Sequence, residues 1–468
     1  MKKHLCLLPF FLVCLLANAQ PKKPTPELLV AEKWTSGSQK VEFMQENGKT
    51  VMKIPLGAGK VVAKDLAFSD GTIEFDTKPN NLSFYFRYKD ARENECFYFR
   101  MGRAGNPTAI DAVQYTPYID GVNMWDMYGH YQTNASFFKD DWNHVRLVIS
   151  GVQMRLYINS PDKPTLEIDR LEGNTGSGTV AFEGDMLISN LTIRPGEVAE
   201  LSARPGVDPT RQDPRYIRTW AVSEPITTPK NVDFSYDFLP TPETGWQILE
   251  AERRGLINLT RTFGKSDPRR LVWLKVKIKS VTAQKKRVDF GFGDDVWVFL
   301  NGQIAYVDKN LQGRPIEKKP EGRCSIENTS FILPLKEGHN ELLIGLANDF
   351  FGWGAIARLE DLEGLEIKPD PTFDYRLIKL SDAIIDAYVG TYVLPNGKNV
   401  RITRENKVLK LSGEDFITAS LYPQAETTFF MREYPFQVEF VKDPNQKVSR
   451  FLINNNGKQV MEVKRAMH

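Results

Sequence analysis

Leu82-Ser83-Phe84-Tyr85-Phe86-Arg87-Tyr88 places apolar or aromatic residues at the even positions and mostly polar ones at the odd positions. Successive side chains of a β-strand point to opposite faces, so this period of two reads as a strand with one face on a core and the other solvated. The same period runs through Glu95 to Arg100, Trp142 to Ser150, Gln153 to Asn159 and Met186 to Ile193, with short Gly, Asn or Asp turns between them. Many strands with little helix from Glu27 to Arg194 predict a β-sandwich.

Outward from that segment the alternation stops twice. Between Pro195 and Arg215, Pro195-Gly196, Pro205-Gly206, Pro209 and Pro214 accumulate, which marks a linker, and Lys368-Pro369-Asp370-Pro371 makes a second break. A chain of 468 residues exceeds what one core organises. The expected division is a signal peptide over 1–19, a sandwich over 27–194, a linker over 195–215, a jelly roll over 216–368 and a small β domain over 374–468. The fold class expected is all-β: two β-sandwich or jelly-roll domains, then a small β-barrel-like domain with one short helix.

The first nineteen residues read as a secretory signal, with Lys2 and Lys3 as basic region, Leu5 to Leu16 as apolar core and Ala17-Asn18-Ala19 as cleavage site before Gln20. Export to the bacterial periplasm or cell exterior is expected. Val13 precedes Cys14 inside the apolar core, where lipidation needs a small residue. The formal net charge of +2 falls to zero without Lys2 and Lys3, which argues against nucleic acid as a partner. No later stretch is long and apolar enough for a membrane span. Cys6 and Cys14 leave with the signal, and Cys96 and Cys324 fall in different expected domains, so two separate core thiols are predicted.

Asp70-Gly71-Thr72-Ile73-Glu74-Phe75-Asp76, Asp141-Trp142-Asn143-His144-Val145-Arg146-Leu147-Val148 and Met154-Arg155-Leu156-Tyr157-Ile158-Asn159 together resemble the concanavalin-A-like lectin and glucanase jelly roll, in its 3-keto-disaccharide hydrolase-like and laminin-G-like branches. The resemblance implies the sandwich and a sugar-related role. Glycosidases on this fold carry paired carboxylates on one strand face, and Glu74 and Asp76 have that spacing. Lys78 stands where the family 16 pattern needs a third carboxylate. Glu95 is a further catalytic candidate, and a solvated acidic strand face is the plain alternative. Tyr85, Arg87, Tyr98, Arg100, Gln114 and Trp125 form the candidate ligand surface, because flat aromatics suit sugar faces and bidentate donors suit hydroxyls. Ordinary cross-strand pairs are the competing account. If Phe84, Phe86, Phe97 and Phe99 face the core, the alternation sends Tyr85, Arg87, Tyr98 and Arg100 away from it.

Farther along, Asp289-Phe290-Gly291-Phe292-Gly293-Asp294-Asp295-Val296-Trp297-Val298-Phe299-Leu300 runs into Asn301-Gly302, a hairpin pair. With Leu333 to Ile344 and Phe351-Gly352-Trp353-Gly354-Ala355 it resembles the galactose-binding-like jelly roll that accompanies many secreted sugar-active enzymes. Relatives of that fold often hold calcium, for which Asp294 and Asp295 are the candidates; turn capping is the simpler reading. No other cofactor is expected. Phe350, Phe351 and Trp353 read either as a sugar platform at a loop edge or as closure of the sandwich.

In the last domain Ser381 is placed to cap a short helix carrying Ile384, Ile385 and Tyr388, ended by Gly390. Tyr388 to Tyr392, Gly397 to Ile402, Leu421-Tyr422-Pro423 and Phe436 to Phe440 resemble the small lipocalin-like domain appended to serine β-lactamase-like hydrolases. No such hydrolase domain precedes it here. Ser160-Pro161-Asp162-Lys163 lies in a turn, whereas that chemistry needs its serine at a helix start. A G-x-S-x-G elbow, a P-loop, H-E-x-x-H and paired C-x-x-C are absent from the sequence. The expected function is therefore an exported carbohydrate-binding protein accessory to polysaccharide processing. A glycan-cleaving or disaccharide-cleaving enzyme and a structural or adhesion protein are the alternatives.

Overall fold

The computed structural model describes residues 27–466 apart from 38–39, 230–231, 242, 372–379, 406–407, 432–433, 435 and 456–457. The expected export signal lies outside the described residues. The described residues are all-β: a 13-stranded sheet comes first, an 8-stranded and a 4-stranded sheet whose strands interleave along the sequence come next, and a closed barrel follows.

The decisive alternation belongs to an 18-residue strand, Gly71–Tyr88. Its first part pairs with Asn143–Ser150, setting Phe75 opposite Val145, and its second part pairs with Asn94–Phe99, setting Phe84 opposite Phe97. Thr179–Pro195 runs beside it for its whole length, with three register shifts. These two long strands therefore belong to both layers of a sandwich and bend from one to the other where the register slips. At one such place Gly184 sits at φ +142, where a Cβ would lie 2.3 Å from the Asn81 carbonyl oxygen, so no larger residue fits. Inside, Phe75, Phe84, Phe97 and Phe182 are wholly buried, and the Phe84 and Phe182 ring centroids lie 4.9 Å apart. Each such side chain contributes roughly 1.5–3 kcal/mol by leaving water.

The middle sandwich sets the sheet ordered Trp246–Glu250, Thr219–Ser223, Arg270–Ser280, Gly338–Asn348, Asp294–Leu300, Gln303–Asn310 against the sheet ordered Ile257–Asn258, Gly354–Leu359, Gln284–Phe292, Thr329–Leu335. Alternate residues of both, among them Val272, Leu274, Phe290, Val296 and Leu333, make its core. Asn301 and Gly302 turn the hairpin with φ values of 51° and 77°, the two positive angles a tight hairpin needs. Trp273, Trp297 and Phe299 alternate to the opposite face, where Leu239 and Phe234 cover them.

The third unit closes eight strands from Gly390–Val393 to Lys458–Arg465 into a barrel, with Tyr392 opposite Arg465 at the seam. Its interior is filled by side chains including Tyr388, Phe429, Phe440 and Phe451. The preceding helix spans Asp382–Tyr388 and buries Ile385 and Tyr388, but the Ser381 side chain makes no capping bond. The Ser381 carbonyl instead accepts from the backbone N–H groups of Ile384 and Ile385.

Candidate functional site

Cross-strand register decides which predicted ligand residues meet. Tyr85 lies opposite Cys96, Ser83 opposite Tyr98, and Tyr98 opposite Gln114, so Tyr85, Tyr98 and Gln114 share the outer face of the first sandwich. Tyr98 donates its hydroxyl to Gln114 Oε1 at 3.0 Å, and Arg100 Nη2 donates to the same oxygen at 2.7 Å. Arg100 Nη1 donates to the Asp111 carbonyl at 2.6 Å, and Gln114 Nε2 donates to the Trp125 carbonyl at 2.6 Å. Five predicted residues, Tyr85, Tyr98, Arg100, Gln114 and Trp125, thus lie in one patch. Gln114, Tyr85 and Trp125 are buried and form its floor, while Tyr98 is partly exposed. Tyr118 completes the face beside Tyr85, with the Lys60 ammonium 4.8 Å from the Tyr85 ring centre and 5.3 Å from that of Tyr118.

Arg87 departs from the expected alternation. Its φ of 46° breaks the strand geometry, and the side chain turns under neighbouring loops, donating to the carbonyls of Ser69 and Gly151 and to Asp70 Oδ1. It is 3% exposed and holds loops together, away from the tyrosine face. The carboxylate candidates also separate. Glu95 lies opposite Phe86 and so on the inner face, where Oε2 accepts from the Tyr115 hydroxyl at 2.6 Å. Burial pushes its pKa up to about 7. Glu74 and Asp76 lie on the other layer, where Glu74 meets Arg194 at 2.9 Å and Asp76 meets His144 at 2.8 Å. Each is held by a neighbouring base, and neither joins Glu95 in a common centre.

The tyrosine face leads into an open cleft of about 1030 Å³ between the first and middle sandwiches. Tyr118 and Asn123 line one side; Arg269, Asp349, Phe350 and Phe351 line the other. Asn123 is fixed in place: Oδ1 accepts from Thr116 Oγ1 and the Trp125 N–H, and Nδ2 donates to the Tyr118 hydroxyl. Across from it Phe350 is 45% and Phe351 40% exposed, unusual for phenylalanines already positioned by contacts. Phe351 rests edge-on against Trp125 at 5.8 Å and has a φ of 53°, a strained value for a bulky residue. Arg269 bridges Asp295 at 2.6 Å and Asp349 at 3.4 Å, and burial raises the Asp349 pKa.

The remaining predicted residues lie behind this cleft. Asp294 Oδ2 accepts from the Asp349 and Phe350 N–H groups and from Asn348, so it caps the loop that presents the phenylalanines. Asp295 pairs with Arg269 and Lys309. Among the described residues no group of three or more His, Cys, Asp and Glu side chains is arranged to hold a metal. Trp353 is a correction: it is fully buried in the middle core, 6.2 Å from Phe263, and closes the sandwich rather than facing ligand. Sequence reasoning passed over Tyr118, Asn123, Arg269 and Asp349, whose juxtaposition depends on two sandwiches meeting. The available signal was Asp349-Phe350-Phe351, an aromatic pair continuing past the end of the strand Gly338–Asn348.

No family model matches the chain. Penicillin-binding protein 4* of Bacillus subtilis (strain 168) is 31% identical over 91 residues, 19% of this chain, which spans about a fifth of that protein's length. Similar solved structures include the carbohydrate binding module CBM66 from Bacillus subtilis, with 15% identity, TM-score 0.26, and coverage of 35% of this chain and 95% of that one. A β-glucanase of Bacillus licheniformis gives 13% identity, TM-score 0.25, and coverage of 35% and 91%. A β-1,3-glucanase of Mycobacterium marinum gives 12% identity, TM-score 0.24, and coverage of 36% and 91%.

Proposed function

We propose that the protein is an exported carbohydrate-binding protein, accessory to polysaccharide processing, that holds a glycan in the cleft between its first two sandwiches. The observation that carries this reading is the pair of half-exposed phenylalanines, Phe350 and Phe351, set across the cleft from Tyr118 and the pre-oriented Asn123. Aromatic faces take up the C–H surfaces of a sugar ring, and fixed amide and carboxylate groups take up its hydroxyls. Tyr98 extends the aromatic surface along the first sandwich, as the resemblance to concanavalin-A-like domains implies. The resemblances of the middle sandwich to galactose-binding-like domains and of the barrel to lipocalin-like domains belong to the same reading, of a multi-domain exported protein without a catalytic centre of its own. No described helix is long and apolar enough to cross a membrane.

A glycan array on the mature protein, followed by titration calorimetry with the best oligosaccharide, tests the proposal. Phe351→Ala is expected to weaken that binding about tenfold or more, consistent with an aromatic contact of roughly 1.5 kcal/mol. Binding to no glycan, or equal affinity in the variant, would refute it. Mass spectrometry of the same sugars after incubation is expected to return them intact.

A further inference from the structure

A second, smaller cavity of about 180 Å³ lies at the junction of the two sandwiches and shares no lining residue with the cleft. Its wall includes His130 and Glu172 from the first sandwich and Glu252, Arg253 and Arg254 from the middle one. It is smaller than a drug-sized pocket of roughly 300 Å³ and on the scale of one sugar ring or a small organic acid.

The charges in this wall do not cancel. Glu172 meets Arg170 at 3.5 Å and Arg253 at 3.7 Å and accepts from the Tyr131 hydroxyl. Glu252 is bonded by Arg261 and by the Tyr128 hydroxyl. Arg253 also pairs with Asp169, and Arg323 pairs with Asp111 at 3.0 Å. Arg254 is different: among the described residues its guanidinium has no carboxylate at ion-pair distance, and its buried Nε has no hydrogen-bond partner. Its backbone is set at φ 60°, ψ 15°, with its N–H held by Asp208 Oδ1 at 3.1 Å. A non-glycine residue is kept in that region only when its surroundings impose it. Beside it the His130 ring, packed on Tyr131, has no hydrogen bond to its nitrogens among the described residues. The ring is solvent-exposed at the edge of the cavity, and in either protonation state it offers an N–H donor.

We infer that this cavity binds a small carboxylate of sugar-acid type, its carboxylate taken by the Arg254 guanidinium and the His130 N–H. A guanidinium fork matches a carboxylate in two parallel bonds, which distinguishes this ligand from a neutral sugar. A volume of about 180 Å³ matches a single ring, so the ligand is a terminal residue or a free monomer.

Titration calorimetry of the full chain with glucuronate, with glucose as the uncharged probe, tests the inference. Glucuronate is expected to bind and glucose to bind at least tenfold more weakly. Arg254→Gln is expected to remove the preference, lowering glucuronate affinity at least tenfold with the melting temperature kept within about two degrees. Phe351→Ala is expected to leave glucuronate binding unaltered, which separates this site from the cleft. The inference is overturned if glucuronate shows no binding at millimolar concentration, if glucose binds equally well, or if Arg254→Gln retains full affinity. Should Arg254→Gln fail to fold, His130→Ala and competition by chloride serve in its place, and undiminished glucuronate binding under both would be equally decisive against it.

Discussion

Arg323 of the middle sandwich donates from Nη2 to Asp111 Oδ2 of the first sandwich at 3.0 Å, and the two side chains are 1% and 2% exposed. Asp111 also meets Arg100 at 3.5 Å and Arg103 at 3.4 Å, and the Arg323 guanidinium lies 5.0 Å from the Trp125 ring centre. The floor of the tyrosine face and the joint between sandwiches are therefore one connected assembly.

Arg323→Ala leaves Asp111 buried beside two remaining cations and opens space under Trp125. A broken buried pair costs about 3 kcal/mol or more. Scanning calorimetry should show the transition of the sandwiches displaced to lower temperature and that of the barrel unmoved. An unchanged thermogram would show that the joint is held elsewhere.

Arg100→Ala bears on the same assembly. If the strand face binds sugar, as one reading of the sequence has it, Arg100 is a solvated donor whose loss weakens binding at least tenfold and leaves melting nearly unchanged. In the structure its guanidinium is already committed to Gln114, Tyr98 and the Asp111 carbonyl. The expected outcome is a loss of stability of roughly 1.5–3 kcal/mol, the worth of charged hydrogen bonds, measured by urea unfolding. Unaltered unfolding with weakened glycan binding would return Arg100 to the role of ligand donor.

Stability should also fall as pH rises. Burial lifts the pKa values of Glu95, Glu172 and Asp126 to about 7, above their ordinary carboxylate values near 4. Between those limits the folded chain binds more protons than the unfolded one, so each group's contribution is complete below about pH 4 and lost progressively up to about pH 7. Melting temperatures measured from pH 5 to pH 8 should decline, and Glu95→Gln should make the decline shallower, gaining most at pH 8. A variant with an unaltered slope would exclude Glu95 as a source.

Cys96 and Cys324 are both free and buried, as their separate positions in the sequence imply. Burial raises both thiol pKa values, so little thiolate forms at neutral pH. Iodoacetamide should leave both unmodified in the native protein and label both in urea. Rapid labelling without denaturant would contradict the burial.

What could be read from the sequence was what a single strand records about itself. The period of two sent Phe84 and Phe97 to the core and Tyr85 and Tyr98 to the other face, and Asn301-Gly302 announced its hairpin. It failed at Arg87, because a positive φ reverses parity without any signature in residue type. It could not place Glu95, since a polar residue within an alternating run looks solvated until Tyr115 is found opposite its neighbour Phe97. The joint between the sandwiches was the least legible part: Asp111 and Arg323 are separated by 212 positions, and no local pattern encodes that meeting.

Closure of the C-terminal barrel has a consequence for how other molecules can engage that unit. With Gly390–Val393 paired both to Asn399–Glu405 and to Lys458–Arg465, the ring shows, among the described residues, no unpaired border along which a foreign strand could dock by main-chain bonding. Attachment there must be read through side chains projecting from the wall, so replacing surface residues such as Arg401 or Lys458 would tune it, while backbone complementarity would contribute nothing.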